Sequence, residues 1–474
     1  MRSSVVLTIA SLAFVVPGII RTKASAHYFG VEGIALFGQL SQTQTVLIAI
    51  GGAGLVTATR VVLSRPTLEP IGRDQVHSWL LYVPTLFAIG IAALVALAAP
   101  TVSDLVLGTP VYAGPVRLAA LGLPFAVMAQ VAIAGSQARG ERWNLVLGAG
   151  LSAIFGGLST VLLMASGDTN LAASSLTIAP AIQLCVILIV CRTSIRALRS
   201  KPRIEQKAIR EVVMIAWASA VLGILAAVGD LITRSSVVQN DGLLAIAPYQ
   251  PVALLVIQLV GIGLSAISTS SLIALASVQG FDVVSSRIGE YLFKLIPVIA
   301  TLTALILSAS PLLIQLFFTG SLVQSALPLV AIALAGETVR ASVWIAGAAF
   351  LPFGLRFRWL GAGVLTVGVQ VAVSLLTIPI LGVMALPVGF VSGNCFAVIV
   401  TAVFLRSAGI SVRPAAFFIG PLLGVGLYVS YLIGPAAILG VLVGPAVYCV
   451  ALALYLLALV IIPIQRKRRL QLAQ

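Results

Sequence analysis

The chain has 474 residues, of which 60% are hydrophobic and 9% charged, against roughly 25% charged in soluble globular proteins, and this excludes a soluble enzyme or binding domain in favour of a polytopic membrane protein. Its formal charge of +15 is placed as the positive-inside rule requires, so it implies no nucleic-acid partner. Four cysteines without a CxxC pair and only two histidines, His27 and His77, give neither a disulfide framework nor a zinc site, and no metal or cofactor is expected.

Crossing a bilayer takes about 20 apolar residues, and the sequence offers fourteen such spans. The first two, 4–29 and 34–62, meet at a turn over Gly30 to Gly33. Ala24-Ser25-Ala26 mimics a leader cleavage site, but Arg21 and Lys23 fall where a cleavable leader is neutral, so the first helix is expected to stay. Spans 78–99, 115–135, 143–166 and 171–191 complete the first half. A polar stretch over 192–210 then carries seven cations, with the basic amphipathic character of a linker lying along anionic headgroups. Eight spans follow, at 211–238, 243–276, 291–310, 326–350, 360–380, 385–405, 415–433 and 439–463.

This order parses as an N-terminal six-helix bundle (1–191), the basic linker (192–210), a C-terminal six-helix bundle (211–405), and a terminal helix pair with a basic tail (406–474), as in transporters built from repeats. Pro17, Pro84, Pro124, Pro180, Pro251, Pro297 and Pro387 lie in or near spans and predict bent helices. With an even number of spans both termini share a side. Placing them in the cytoplasm puts Arg60, Arg65, Arg73, Arg139, Arg142, the 192–210 cations and Arg466 to Arg469 there as well, while Asp104, Asp168 and Asp241 face outward.

Six cations do not fall in cytoplasmic segments. Arg21, Lys23, Arg117, Arg234, Lys294 and Arg340 lie in or beside apolar spans, with the acids Asp230 and Glu337. A charge at the bilayer centre costs from about 3 to over 10 kcal/mol, so such groups face partners or water-filled cavities and mark candidate sites. Arg21 and Lys23 have no acid near them in sequence and are the leading ligand candidates. Asp230 with Arg234, and Glu337 with Arg340, are spaced to pair along one helix face; each carboxylate either neutralises its arginine, orients it, or exchanges a proton. Arg117 and Lys294 sit near span ends, where snorkelling to the interface is expected. His27 reads as a polar residue at a helix mouth, with a proton relay as the alternative. Gly420 and Gly424 form a GxxxG that reads as a packing or dimer face.

Several of these segments resemble one family. Lys23 to Gly38, KASAHYFGVEGIALFG, is similar to the turn after the first helix of bacterial polysaccharide flippases of the O-antigen type (Wzx-like), with the usual proline and second aromatic replaced. Ala134 to Trp143 (AGSQARGERW), Asp230 to Arg234 followed by Tyr249, and Leu381-Gly382-Val383 followed by Ala385 resemble later elements in the same order, over roughly residues 1–410. The resemblance implies the multidrug/oligosaccharidyl-lipid/polysaccharide exporter superfamily, with two six-helix bundles in a V around a central lumen. It also implies translocation of an undecaprenyl-pyrophosphate-linked oligosaccharide across the bacterial cytoplasmic membrane for O-antigen, capsule or exopolysaccharide assembly, alongside other polysaccharide-assembly membrane proteins and membrane lipids. On that reading Arg21, Lys23, Arg234 and Arg340 bind pyrophosphate, and Asp230, Glu337 and His27 pair charges or couple transport to protons. The alternative is a drug or metabolite exporter of the same superfamily. A membrane enzyme is disfavoured because no external loop exceeds about 15 residues at these span lengths.

Overall fold

The structure is a computed structural model that describes residues 2–52, 54–63, 70–200, 206–261, 264, 275, 280–350 and 353–433. The described residues are mostly helical, with no strand among them. Ten of their helices are long and apolar enough to cross a membrane, and the chain is a multi-pass membrane protein. The expected span 439–463 and the basic tail lie outside the described residues, as do Arg65, part of the 192–210 linker and the end of the 243–276 span.

Helix α1 (Arg2–Gly52) contains the first expected span, 4–29, and most of the second, 34–62, whose end falls on a separate helix over Leu55–Leu63; α1 itself is interrupted where Gly30 takes φ 64° and ψ −149°. That conformation costs an L side chain energy and a glycine nothing, so the expected turn shrinks to one residue. Next come α2 (Leu55–Leu63), α3 (Pro70–Leu97), α4 (Ala99–Leu107), α5 (Ala113–Leu121) and α6 (Leu123–Ala138). The expected span 115–135 is thus two helices joined at Gly122, ahead of Pro124. Helices α7 (Arg142–Met164) and α8 (Thr169–Val190) follow, the latter capped by the Asp168 carboxylate accepting from Leu171 N at 2.8 Å. Part of the polar linker folds as α9 (Arg192–Arg199), and α10 runs Gln206–Asp241.

The chain divides into two compact units. The first comprises Met1–Gln250 with the short returns Leu316–Thr319 and Thr377–Val383, and so takes in α10 beyond the linker. Gly54, at φ 70°, lies so close to α10 that a Cβ there would stand 2.1 Å from the Ala216 carbonyl oxygen. Among the described residues, three apolar clusters pack this unit. One joins α2, α3, α6, α7, α8, α9 and α10 through Val62, Leu80, Val131, Leu145, Ile187, Ala197 and Val212. The second gathers Leu36, Leu40, Leu107, Val116, Met164 and Leu176, and the third Leu47, Ala88, Leu123 and Val127. Lipid gives helices no hydrophobic reason to associate, so buried amides help: Gln44 Nε2 donates to Leu176 O at 2.7 Å and Gln39 Nε2 to Val106 O at 3.3 Å. Leu94, Leu97 and Ile189 remain largely exposed, as side chains bathed in acyl chains should be.

The second unit comprises Pro251–Gln315, Gly320–Leu376 and Met384–Gln474. After a π-helical stretch, Ala253–Val260, its helices are α11 (Phe281–Phe317), α12 (Val323–Gly347), α13 (Arg356–Leu381), α14 (Ala385–Ser407) and α15 (Pro414–Ile433). Helix α12 packs on α14 and α15 and is buried along most of its length. The Gly420/Gly424 pair faces α12: a Cβ on Gly420 would stand 2.2 Å from Ser342 Oγ, and one on Gly424 2.8 Å from Ala335 O. The motif is therefore an internal contact of this unit.

Candidate functional site: intramembrane arginines

In the first unit, α10 brings Asp230 and Arg234 onto one face, one helical turn apart. Arg234 Nη2 lies 2.8 Å from Asp230 Oδ2, with the arginine side chain 3% exposed and the aspartate 20%. Beyond Gly242 the chain reverses into a short 3₁₀ segment, Leu243–Tyr249, whose last residue sets its ring 4.9 Å from the Arg234 guanidinium carbon. Arg234 is thus held between a carboxylate and an aromatic face. Its Nε is buried with no hydrogen-bond partner. A planar guanidinium with a free donor edge is suited to an oxyanion such as phosphate. Gln250, beside Tyr249, packs directly on Gly38 of α1 and is itself buried, with Nε2 unpaired.

Helix α1 separates its two cations. Arg21 is half-buried and has no hydrogen bond or ion pair among the described residues, while Lys23 two positions on is exposed. Around them Ala24, Ser25 and Ala26 are buried in the helix packing, and Ser25 Oγ donates to Thr22 O at 2.8 Å. His27 is exposed, its ring edge-on to Tyr28 with centroids 4.8 Å apart.

The second unit carries the other pair on α12. Arg340 Nη2 stands 2.8 Å from Glu337 Oε1; the glutamate side chain is fully buried and the arginine 19% exposed. Neither Glu337 oxygen is in hydrogen-bond alignment, and Arg340 Nε is also unpaired. The guanidinium lies over Trp344 at 5.3 Å and over Phe390 of α14 at 5.4 Å. The π-helical stretch ends beside it, because a Cβ on Gly261 would be 3.9 Å from Arg340 Nη2. Such wide turns concentrate at functional positions. Thr338, next to Glu337, shares a hydrogen bond with Thr303 of α11 at 3.2 Å.

The remaining expected cations lie elsewhere. Lys294 is exposed and pairs with Glu290 at 2.6 Å on α11, and Arg117 is exposed with Nε donating to Ala96 O at 3.3 Å. One polar group escapes sequence reasoning altogether. At the α9 end of the first unit, Asp74 pairs with Arg139, and His77 is wholly buried one turn along with neither ring nitrogen paired. Asp74 and Arg139 are 65 residues apart, so no local spacing announces them. The aromatic neighbours of Arg340 were equally unannounced, since a ring four residues away or on another helix leaves no charge pattern.

No family model and no curated protein matches the sequence. Solved structures do match the fold. The chain is similar to lipid II flippase MurJ in an inward closed conformation, with a TM-score of 0.67 and 14% identity over 98% of this chain and 99% of that one. It is similar to a multidrug resistance MATE family transporter of the MOP superfamily, inward-facing, with a TM-score of 0.67 and 14% identity over 91% of this chain and 100% of the other. A MOP superfamily transporter from Pyrococcus furiosus, described as having a binding pocket of reverse polarity, follows at 0.61 and 13% identity over 90% and 96%. At these identities the likeness is one of fold: the chain folds like a lipid II flippase and like multidrug transporters.

Proposed function

We propose that this protein is a flippase that moves a polyprenyl-pyrophosphate-linked oligosaccharide across the bacterial cytoplasmic membrane, by alternating access, with Arg21, Arg234 and Arg340 as its phosphate-binding cations and Lys23 at the edge of the route. The observation that carries this reading is Arg21, a half-buried arginine within a membrane span and without a carboxylate among the described residues. Such a charge is costly to keep in lipid unless an anion uses it. Arg234 and Arg340 add a free guanidinium edge each. Asp230 and Glu337 hold those arginines in place and are the groups through which protons would couple to transport, with His27 outside that set of contacts.

One observation favours a second reading, an exporter of a drug or metabolite. Asp230 and Glu337 neutralise the arginines beside them, and Arg340 is flanked by Trp344 and Phe390, a surface suited to a flat organic solute. The two readings part on Arg21. Expressed in a bacterium lacking its own flippase but supplied with the matching glycan pathway, the unmodified chain should restore surface polysaccharide on an immunoblot. Arg21→Ala should abolish that at unchanged abundance. Dye efflux that survives Arg21→Ala and fails on loss of Asp230 or Glu337, with no polysaccharide restored by the unmodified chain, would establish the exporter instead.

A further inference from the structure

Helix α9 is fastened to the flank of the first unit by its backbone and small residues, which leaves its arginines free. Glu141, at the start of α7, accepts from Thr193 N at 3.2 Å and from Thr193 Oγ1 at 3.1 Å. Ser78 Oγ donates to Ser200 O at 2.9 Å, and Tyr82 OH to Leu198 O at 3.2 Å. Ser194 and Ala197 are fully buried beneath the helix, Ala197 in the apolar cluster with Leu80 and Ile187. Arg192, Arg196 and Arg199 fall at i, i+4 and i+7, on the opposite face. All three are exposed, and none has an ion pair among the described residues. The carboxylates in reach are engaged: Glu141 by Thr193, Asp74 by Arg139.

The surroundings indicate what meets this face. Tyr82, which ties α9 down, begins an exposed apolar strip on α3 that continues through Val83, Leu86 and Phe87. Trp143, two residues past Glu141, is 73% exposed. Tyrosine and tryptophan of this kind sit at the level of the headgroups. We propose that α9 is a docking surface for anionic glycerophospholipid headgroups, with the three arginines on the lipid phosphates and the acyl chains lying along the Tyr82 to Phe87 strip. Guanidinium groups pair phosphate oxygens in a fork, and a zwitterionic headgroup offers the same phosphate with its charge cancelled. The inference is independent of what the protein transports.

The test uses the full chain, purified in neutral detergent and titrated with phosphatidylglycerol or phosphatidylcholine, with bound lipid counted by native mass spectrometry. The tightest phosphatidylglycerol binding should weaken roughly fivefold for each arginine removed, so R196Q alone should lose about fivefold and the combined R192Q, R196Q and R199Q chain roughly a hundredfold, with binding also weakened by salt. Removing two cations elsewhere, with R287Q and R413Q together, should leave that binding unchanged. Thermal unfolding of each variant in phosphatidylcholine should match the unmodified chain. Wild-type phosphatidylglycerol binding by the triple variant, equal loss in the control, equal binding of phosphatidylcholine, or displacement of the lipid by millimolar inorganic phosphate would each overturn the proposal, the last by revealing a site for free anions.

Discussion

Replacing Asp230 by Asn should destabilise the first unit more than any apolar substitution of the whole pair. Arg234 is nearly enclosed, so taking away its carboxylate strands a cation at low dielectric, which in buried pairs costs about 3–5 kcal/mol. Two features of the site hold the loss to the lower end. Asp230 keeps 20% of its side chain exposed, and Tyr249 still faces the guanidinium, a contact of about 1 kcal/mol. A loss of about 3 kcal/mol is therefore expected for Asp230→Asn, whereas Asp230→Leu combined with Arg234→Met should fall within about 1 kcal/mol of the unmodified chain, because a buried pair replaced by apolar side chains of similar volume is often neutral. The assay is thermal unfolding in detergent, followed by the monodisperse fraction on gel filtration, with transport measured on the same variants. A near-neutral Asp230→Asn would refute the idea that Arg234 sits in a low dielectric. A double variant that unfolds as readily as the single one would show that the arginine itself, rather than the imbalance, holds the helices. If the double variant is stable and still transports, the pair is structural only.

Arg340→Glu places a second carboxylate beside fully buried Glu337 and should block movement of a lipid-linked pyrophosphate, since a dianion in a poorly screened cavity is repelled by several kcal/mol at an effective dielectric of about 20; Arg340→Lys should retain partial transport by charge alone, and an unaffected Arg340→Glu chain would remove Arg340 from the phosphate route. Gly420→Leu should cost about 1–3 kcal/mol, because its side chain must enter the space held by Ser342 Oγ and Thr338 O on α12; thermal unfolding checks it, and a neutral result would mean α15 does not pack there. A reporter fused after Arg199 should read cytoplasm and one inserted at Asp104 or Asp168 should read the outer side, and the reverse result would invert the topology, because the seven cations of residues 192–210 anchor it.

Much of the helical layout is legible in the sequence because lipid imposes one rule on every span: bond the backbone internally and stay apolar for about 20 residues. The spans expected at 143–166, 171–191 and 385–405 fall within two residues of the ends of α7, α8 and α14. Asp230 with Arg234 and Glu337 with Arg340 were equally readable, since helix geometry brings residues three and four apart together. What surrounds those pairs was not. Phe390 reaches Arg340 from another helix, and the linker's first residues dock as α9 through a glutamate 52 positions earlier. Contacts of that separation leave no periodic trace, and small residues such as Ala197 and Ser194 announce neither a loop nor a buried face. The kink at Gly30 lies between these cases: glycine at the turn was visible, whereas the absence of any loop around it was a consequence of packing along α1.

On the proposed flippase reading, the charges differ in what they ask of a substrate. At Arg234 and Arg340 an incoming phosphate must compete with a carboxylate 2.8 Å away, so anion binding there is weakened by the group that keeps the arginine folded into the bundle. Arg21 has no such competitor among the described residues, and an anion reaching it gains the full interaction. A route made only of unpaired cations would bind a pyrophosphate too tightly to release it, and one made only of neutral pairs would offer it little reason to enter. On that reading, transport requires binding that is favourable yet reversible, and the carboxylates beside Arg234 and Arg340 would temper the affinity of each arginine for the anion. The same carboxylates explain why the protein can keep those arginines buried within its membrane helices: each pair is internally neutral, and the rings over each guanidinium cover it without offering a negative charge that a phosphate would have to displace.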